Sequence, residues 1–188
     1  MKRSHFRGAS LASVGSLTLF SKASIAQAPT CAARTDDNIE GPFHRPGAPF
    51  RDALQPSGVR GIVLIGSVVG RSCQPLAGAV LDVWQADADG DYDLQGFSQR
   101  GQLRTDGNGQ FRLTTIHPGR YRAGGQVRPS HIHVKVHGNG HPPLTTQLYF
   151  PGDPHNESDP WFRPSLLLAH RAPGCHPRPA TFRFDFRL

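Results

Sequence analysis

The 188-residue chain lacks several features that would assign it to common protein classes. It has only three cysteines and no C-x-x-C pair, which excludes a zinc ribbon. The net charge is +7, but no run of Lys and Arg is interleaved with aromatic residues, so the sequence shows no pattern typical of nucleic-acid binding. The uncharged segment 8–20 is shorter than the roughly 20 apolar residues that cross a bilayer. We therefore expect no membrane association of the mature chain.

Residues 1–28 show the order of features of an export signal that is removed after transport. Basic residues come first, the uncharged segment 8–20 follows, and the small-x-small triplet Ala26-Gln27-Ala28 ends it. The pair Lys2-Arg3 is similar to a twin-arginine signal with one arginine replaced, while the general secretory route and a disordered basic tail are alternatives. We predict a periplasmic or secreted protein.

In an exported protein, two cysteines can be oxidised to a disulfide. The three are Cys31, Cys73 and Cys175, and we favour a disulfide between Cys31 and Cys73 because Cys175 lies in a Pro-rich segment.

Short apolar runs separated by turns predict an all-β fold. The chain has 21 Gly, 17 Pro and only 19% charged residues, which favours many strands over helices. The only helical candidate is 164–172. We predict an extended arm over 29–57 and then, over 58–188, a single-domain β-sandwich with long loops and little helix. Its predicted strands are 58–70, 79–86, 110–116, a short strand through Tyr121, 130–138, 144–150 and 182–188.

The stretch VRPSHIHVKV places two histidines one residue apart in a strand pattern. His131 and His133 are separated by two positions, so both imidazoles project from one face of the strand, as two ligands of one metal would. Ile132, Val134 and Val136 form the buried row, so the histidines point either to solvent or into a cleft. Alone, the pattern is compatible with a metal site and with exposed strand histidines.

Tyr92 and Tyr121 are two of only three tyrosines, and both lie at the ends of turns. Both are compatible with ordinary core positions. As phenolates they would be hard, anionic ligands, and only a strong Lewis acid in contact would ionise groups whose usual pKa is about 10. Fe(III) suits two phenolates and two imidazoles, whereas a zinc or copper site at the histidines would not favour two tyrosinates.

Two further polar residues lie near the histidines. Arg128 comes three residues before His131 and, taken alone, is compatible with a surface position. Gln147 lies in LTTQLYF, where an inward polar side chain needs a partner that a substrate or metal-bound ligand could supply.

Several separated blocks resemble, in order, the intradiol ring-cleavage dioxygenases, the family of protocatechuate 3,4-dioxygenase and catechol 1,2-dioxygenase. They cover most of residues 40–160. The blocks are EGPFHRPGAPFR, PLAGAVLDVWQADADGDYD, TDGNGQFRLTTIHPGRY, RPSHIHVKV and TTQLYFPGDPHNESDP. The export signal makes the chain similar to an exported branch of that family.

The resemblance implies an enzyme that uses O2 to cleave a catechol-type diol between its hydroxylated carbons, giving a cis,cis-muconate-type diacid. Its partners would be the aromatic diol and O2, with a homo-oligomer left open. It implies the following roles: Tyr92, Tyr121, His131 and His133 as ligands of a non-haem Fe(III), Tyr121 also as the tyrosinate displaced by the diol, Arg128 as the active-site arginine, and Gln147 as its polar neighbour.

The segment RAGGQVRPS between Tyr121 and His131 is shorter than the pocket-lining loop of many relatives, so the resemblance does not specify the diol. The rival interpretation is a non-catalytic, transthyretin-like β-sandwich binding module. Such a module shares the sandwich pattern, but its function does not require H-x-H together with two turn-end tyrosines.

Overall fold

The structure is a computed structural model and describes residues 33–59, 61–171 and 179–188. The described residues form β-strands and loops, apart from one 3-10 turn at Pro164–Leu166, which confirms the all-β prediction. None of the helical structure in these ranges is long and apolar enough to cross a membrane. The ten strands are β1 Ile62–Val69, β2 Val80–Gln85, β3 Arg100–Arg104, β4 Gln110–Thr115, β5 Tyr121–Ala123, β6 Gln126–Arg128, β7 His131–His137, β8 Leu144–Tyr149, β9 Ala169–Arg171 and β10 Thr181–Arg187.

Several predictions fall wholly or partly outside the described residues. These are the export signal at 1–28 and the start of the arm at 29–32. The pairing of Cys31 with Cys73 is also affected: Cys73 is disulfide-bonded, while Cys31 and Cys175 lie outside the described ranges.

Two four-stranded sheets pack around one core. The first has the order β4-β1-β10-β9, with β1 and β10 parallel and the other neighbours antiparallel. The second has the order β3-β2-β7-β8 and is antiparallel throughout. Apolar side chains from the inner faces meet in one cluster, as in a β-sandwich. The cluster includes Leu64, Val68, Phe111, Leu113, Phe184 and Phe186 from the first sheet and Leu81, Val83, Ile132, Val134, Val136 and Leu148 from the second.

The opposite face of the second sheet is also buried. Side chains alternate along β7, so the odd-numbered residues His131 and His133 point away from Ile132 and the core. Residues 38–51 run over this sheet and form no helix or continuous strand, while the flanking parts of the arm are hydrogen-bonded to the first sheet. Their backbone is hydrogen-bonded to it, for example from Asn38 N to Thr145 O at 2.8 Å. The arm therefore buries the outer face of the second sheet.

The helical candidate 164–172 forms no α-helix over its described residues 164–171. Pro164 begins one 3-10 turn, and Leu168 N then donates to Tyr149 O at 2.9 Å. Ala169–Arg171 pair with β10 as an edge strand. Burial of Leu166 and Leu168 in the core and pairing with the sheet outweigh helix propensity in so short a segment.

Strands β3 and β6 were not predicted. Strand β6 pairs with β5 in a hairpin closed by Gly124 and Gly125. Both glycines have positive φ, 58° and 83°, as a two-residue type I′ turn requires. The hairpin places Tyr121 directly opposite Arg128.

Candidate metal centre and active site

The register of the second sheet assembles one half of the site. Trp84 on β2, His133 on β7 and Gln147 on β8 are direct neighbours across three strands. His131 lies opposite Tyr149 in the same way. Their side chains project from the face that the arm covers, and His131 and His133 are only 2% and 1% exposed.

The two histidines bring their Nε2 atoms to one point. His131 Nδ1 lies 2.7 Å from the Pro129 carbonyl oxygen and must donate to it, so Nε2 carries the lone pair. His131 Nε2 lies 3.1 Å from His133 Nε2.

Both imidazoles are held neutral. Burial, with a contribution from the Arg128 charge, lowers the pKa of His131 to about 4. Burial and then His131 hold the pKa of His133 well below its ordinary value. Neutral imidazoles whose Nε2 atoms lie this close together can serve as ligands of one metal.

The two tyrosine rings lie beside the histidines. Tyr121 is 5.5 Å from Tyr92 and 5.6 Å from His131 between ring centroids, and Tyr92 is 6.3 Å from His133. Tyr92 Oη is buried and has no hydrogen-bond partner among the described residues. A buried hydroxyl without a partner is costly and calls for an explanation, which a bound cation supplies.

Burial raises the pKa of Tyr92 well above its usual range, and the nearby Tyr121 raises it further. Burial also raises the pKa of Tyr121, against the lowering effect of Arg128. Neither phenol ionises here near neutral pH without a strong cation in contact.

The donor set fits a ferric ion. The phenolic rings of Tyr92 and Tyr121 supply oxygen donors beside the two imidazoles. Two imidazole nitrogens and two phenolic oxygens combine neutral donors with hard anionic ones, which suits iron and gives no preference to zinc or copper.

Arg128 connects the hairpin to the sheet. It is 3% exposed, and its Nη1 lies 3.2 Å from Tyr121 Oη while its Nη2 donates to Gln147 Oε1 at 2.7 Å. Its Nε donates to Asp159 Oδ2 at 2.7 Å. Burial alone lowers the pKa of Arg128, but the hydrogen bond to Asp159 and the nearby acidic groups raise it overall, so the side chain is a fixed cation.

Aromatic contacts hold the ligands in place. Phe43 of the arm stacks on Tyr92 with centroids 4.3 Å apart, and Trp84 stacks on His133 at 4.8 Å. Gly41 passes close above the same imidazole, because a Cβ atom there would lie 3.5 Å from His133 Cε1. The arm is therefore a wall of the site.

A cavity of about 450 Å³ opens beside the two tyrosines, a size that accommodates a single aromatic ring. A larger groove of about 720 Å³ beside Phe50 and Arg112 contains none of the site residues, so we place the chemistry at the smaller cavity. That cavity is lined by Phe43, Asp89, Gly90, Asp91, Tyr92, Leu94, Arg120, Tyr121 and Arg122.

The structure brings all six sequence-predicted site residues into one cluster: Tyr92, Tyr121, Arg128, His131, His133 and Gln147. Sequence reasoning missed Asp159, Tyr149 and Phe43. Tyr149 carries the same strand phase as His131 and could have been found by extending the alternation to β8. Asp159 and Phe43 lie in irregular segments, where no periodicity tells which way a side chain points.

Comparison with known proteins agrees with this geometry. The family model described as "Dioxygenase" matches residues 39–188. The chain is 34% identical to 6-chlorohydroxyquinol 1,2-dioxygenase of Cupriavidus pinatubonensis, over 81% of this chain and 63% of that protein. It is 35% identical to chlorocatechol 1,2-dioxygenase of Rhodococcus opacus, over 66% and 60% respectively. The chain thus spans less than two thirds of the length of these relatives.

Two solved structures share the fold. The dioxygenase domain of a dioxygenase–carbohydrate-binding fusion from Streptomyces sp. SirexAA-E superimposes with a TM-score of 0.75 at 44% identity, covering 83% of this chain and 98% of that one. The 3-chlorocatechol 1,2-dioxygenase of Rhodococcus opacus 1CP gives a TM-score of 0.75 at 31% identity, covering 81% and 71%.

Proposed function

Because the chain belongs to the intradiol ring-cleavage dioxygenase family, we propose that it cleaves a catechol-type diol with O2 between the two hydroxylated carbons. The carbon–carbon bond breaks, each of the two carbons gains one atom of O2, and the product is a cis,cis-muconate-type diacid. The observation that carries this proposal is the approach of His131 Nε2 to His133 Nε2 at 3.1 Å, with the rings of Tyr92 and Tyr121 packed beside them.

Tyr92, Tyr121, His131 and His133 would hold a non-haem Fe(III). When bound, this ion supplies the Lewis acidity that ionises both diol hydroxyls and makes the ring reactive toward O2. As phenolates, the two tyrosines would offset its charge, and the neutral imidazoles would complete the protein ligands.

Tyr121 is the ligand that we propose would give way to the diol and accept one of its protons. Its Oη already accepts a hydrogen bond from Arg128 Nη1 at 3.2 Å. If Tyr121 gave way to the diol, its oxygen would keep this charge-assisted hydrogen bond.

Arg128 would stabilise the negative charge that develops on the diol. Its guanidinium is buried and fixed by Gln147 and Asp159, so it needs no reorganisation during the reaction. Gln147 Oε1 accepts from Arg128 and from Tyr149 Oη, and Gln147 Nε2 donates to Ile39 O at 2.9 Å. Gln147 thus acts by holding Arg128.

The cellular location proposed is the periplasm or the exterior, on the strength of the signal-like residues 1–28. The transthyretin-like binding module is not favoured, because it does not account for the cluster of four metal-donor side chains.

The test is a metal assay followed by oxygen uptake. Purified protein should bind about one iron per chain and show a visible tyrosinate-to-iron absorption. Oxygen uptake should then be screened with catechol, protocatechuate, hydroxyquinol and chlorinated diols. A folded, colourless protein that does not take up Fe(III) would overturn the proposal.

A further inference from the structure

Asp159 lies in the loop after β8, and its side chain is completely buried. Its Oδ2 accepts from Arg128 Nε at 2.7 Å, and its Oδ1 accepts from the backbone N of Trp161 at 2.9 Å. The Trp161 ring covers the Arg128 guanidinium, with 4.4 Å between Cζ and the ring centroid. One carboxylate therefore holds both the arginine and the residue that packs on it.

The contacts of Arg128 determine how its guanidinium group is oriented. A guanidinium is planar, with its N–H groups at fixed angles. Once Nε is bonded to Asp159 and Nη2 to Gln147, the remaining Nη1 must point to Tyr121. A rotation that turned Nη1 away would break the shortest ion pair at the site.

A second buried arginine shows that burial alone does not require such a carboxylate. Arg100 is 1% exposed, and its hydrogen bonds in the described part of the chain go only to backbone carbonyl oxygens of Asp93 and Phe43. Arg128 instead donates to a buried carboxylate, so donor and acceptor both carry a charge.

We propose that Asp159 is the positioning residue of the site: it fixes the Arg128 guanidinium so that Nη1 faces Tyr121 and the bound diol. This inference rests on the proposed function, in which Arg128 acts on the diol. In this proposal Asp159 acts by holding Arg128, the side chain with which it forms its ion pair.

The first test is Asp159→Asn, which keeps the size and one carbonyl oxygen but removes the charge. Iron content and visible absorption should stay at the wild-type level because no ligand changes. The value of kcat should fall about 10- to 100-fold, with a smaller change in KM, since the cation is misplaced by a fraction of an ångström. Asp185→Asn is the matched control, because Asp185 also pairs with an arginine but lies on β10 in the other sheet.

A readout independent of activity is water exchange of the Arg128 Nε–H proton, measured by ¹H–¹⁵N NMR on full-length protein loaded with diamagnetic Ga(III). Asp159→Asn should speed this exchange by about tenfold or more, and Asp185→Asn should leave it unchanged. Unchanged exchange and unchanged kcat in Asp159→Asn would overturn the proposal.

A double-variant cycle separates positioning from a general structural role. If Asp159 acts through Arg128, adding Asp159→Asn to Arg128→Met should lower kcat no further than Arg128→Met alone. Losses that multiply would overturn the proposal.

If Asp159→Asn does not fold, the double variant Arg128→Met with Asp159→Leu replaces it as the test. Apolar replacement of both members of a buried ion pair is often tolerated. This protein should fold with the residual activity of Arg128→Met, and failure to fold would overturn the proposal. If wild-type protein cleaves no diol, the proposed function fails. Proton exchange at Arg128 Nε still tests whether Asp159 fixes the Arg128 guanidinium.

Discussion

Tyr121 and Arg128 lie directly opposite each other across the β5–β6 hairpin, with 3.2 Å between Tyr121 Oη and Arg128 Nη1. A two-residue turn sets this register, so the short RAGGQ segment fixes where a metal-ligand oxygen stands relative to the buried cation. The turn thereby contributes to the site without containing a functional side chain.

Gly125→Ala should therefore weaken both the fold and the site. Gly125 has a φ of +83° and no atom within 4 Å of an added Cβ, so the cost is conformational and amounts to about 1–2 kcal/mol. Urea unfolding measures this loss, and kcat should fall with it as the hairpin register loosens. Gly107→Ala is the control, since Gly107 is equally open but has no positive φ. Equal stability of the two variants would contradict the argument.

The strand alternation in the sequence predicted the phase of His131 and His133 correctly, because it depends on local geometry alone. It left open solvent or a cleft, and the answer depends on the arm that passes over the sheet at Gly41. No short-range pattern encodes that cover. Leu166 and Leu168 were misassigned to a helix for the same reason: their partners lie in the core and in Tyr149, distant in sequence.

The role of Asp159 also could not be predicted from the sequence. Its partner Arg128 is 31 positions away, and the two meet only because the loop after β8 folds back beside the hairpin. Residues of the H-x-H and tyrosine motifs were recognisable because their type and spacing carry chemistry. An aspartate in an irregular loop has no such signature.

His131→Ala should abolish metal binding. It removes one of two converging imidazole nitrogens, so iron content and the visible absorption should both be lost. His137→Ala is the control, because His137 lies on the same strand and face but is exposed. Metal analysis and a visible spectrum of each protein suffice. Wild-type colour in His131→Ala would show that it is not a ligand.

Metal-free protein should lose stability on mild acidification. The pKa of His131 is about 4 when folded against 6.5 ordinarily, so between these values the unfolded chain binds a proton that the folded chain excludes. This contribution is complete above about pH 6.5 and is lost as the pH falls toward about 4. His131 alone should cost about 2 kcal/mol between pH 7 and pH 5.

Urea unfolding of the metal-free chain at these two pH values measures the loss. His131→Asn should reduce it, because asparagine does not titrate. A free energy of unfolding that is the same at pH 7 and pH 5 would contradict the burial of a neutral His131.

Phe43→Ala should alter diol selection and leave the metal in place. The ring stacks on Tyr92 and lines the cavity, so its removal enlarges the space beside the ligands and sacrifices about 0.5–1.5 kcal/mol of stacking. Relative kcat/KM for chlorinated over unsubstituted diols should rise. Phe50→Ala is the control from the same arm, because Phe50 is 56% exposed and lies outside this cavity. An unchanged kcat/KM ratio in Phe43→Ala would show that Phe43 does not contribute to diol selection.

The most direct test of the account is product analysis after reaction of the iron-loaded protein with a diol under ¹⁸O2, using the best substrate of the uptake screen. Intradiol cleavage predicts one cis,cis-muconate-type diacid carrying one ¹⁸O atom in each of its two new carboxyl groups. A ring opened beside rather than between the hydroxylated carbons, a product free of ¹⁸O, or no product from any diol of the screen would contradict it.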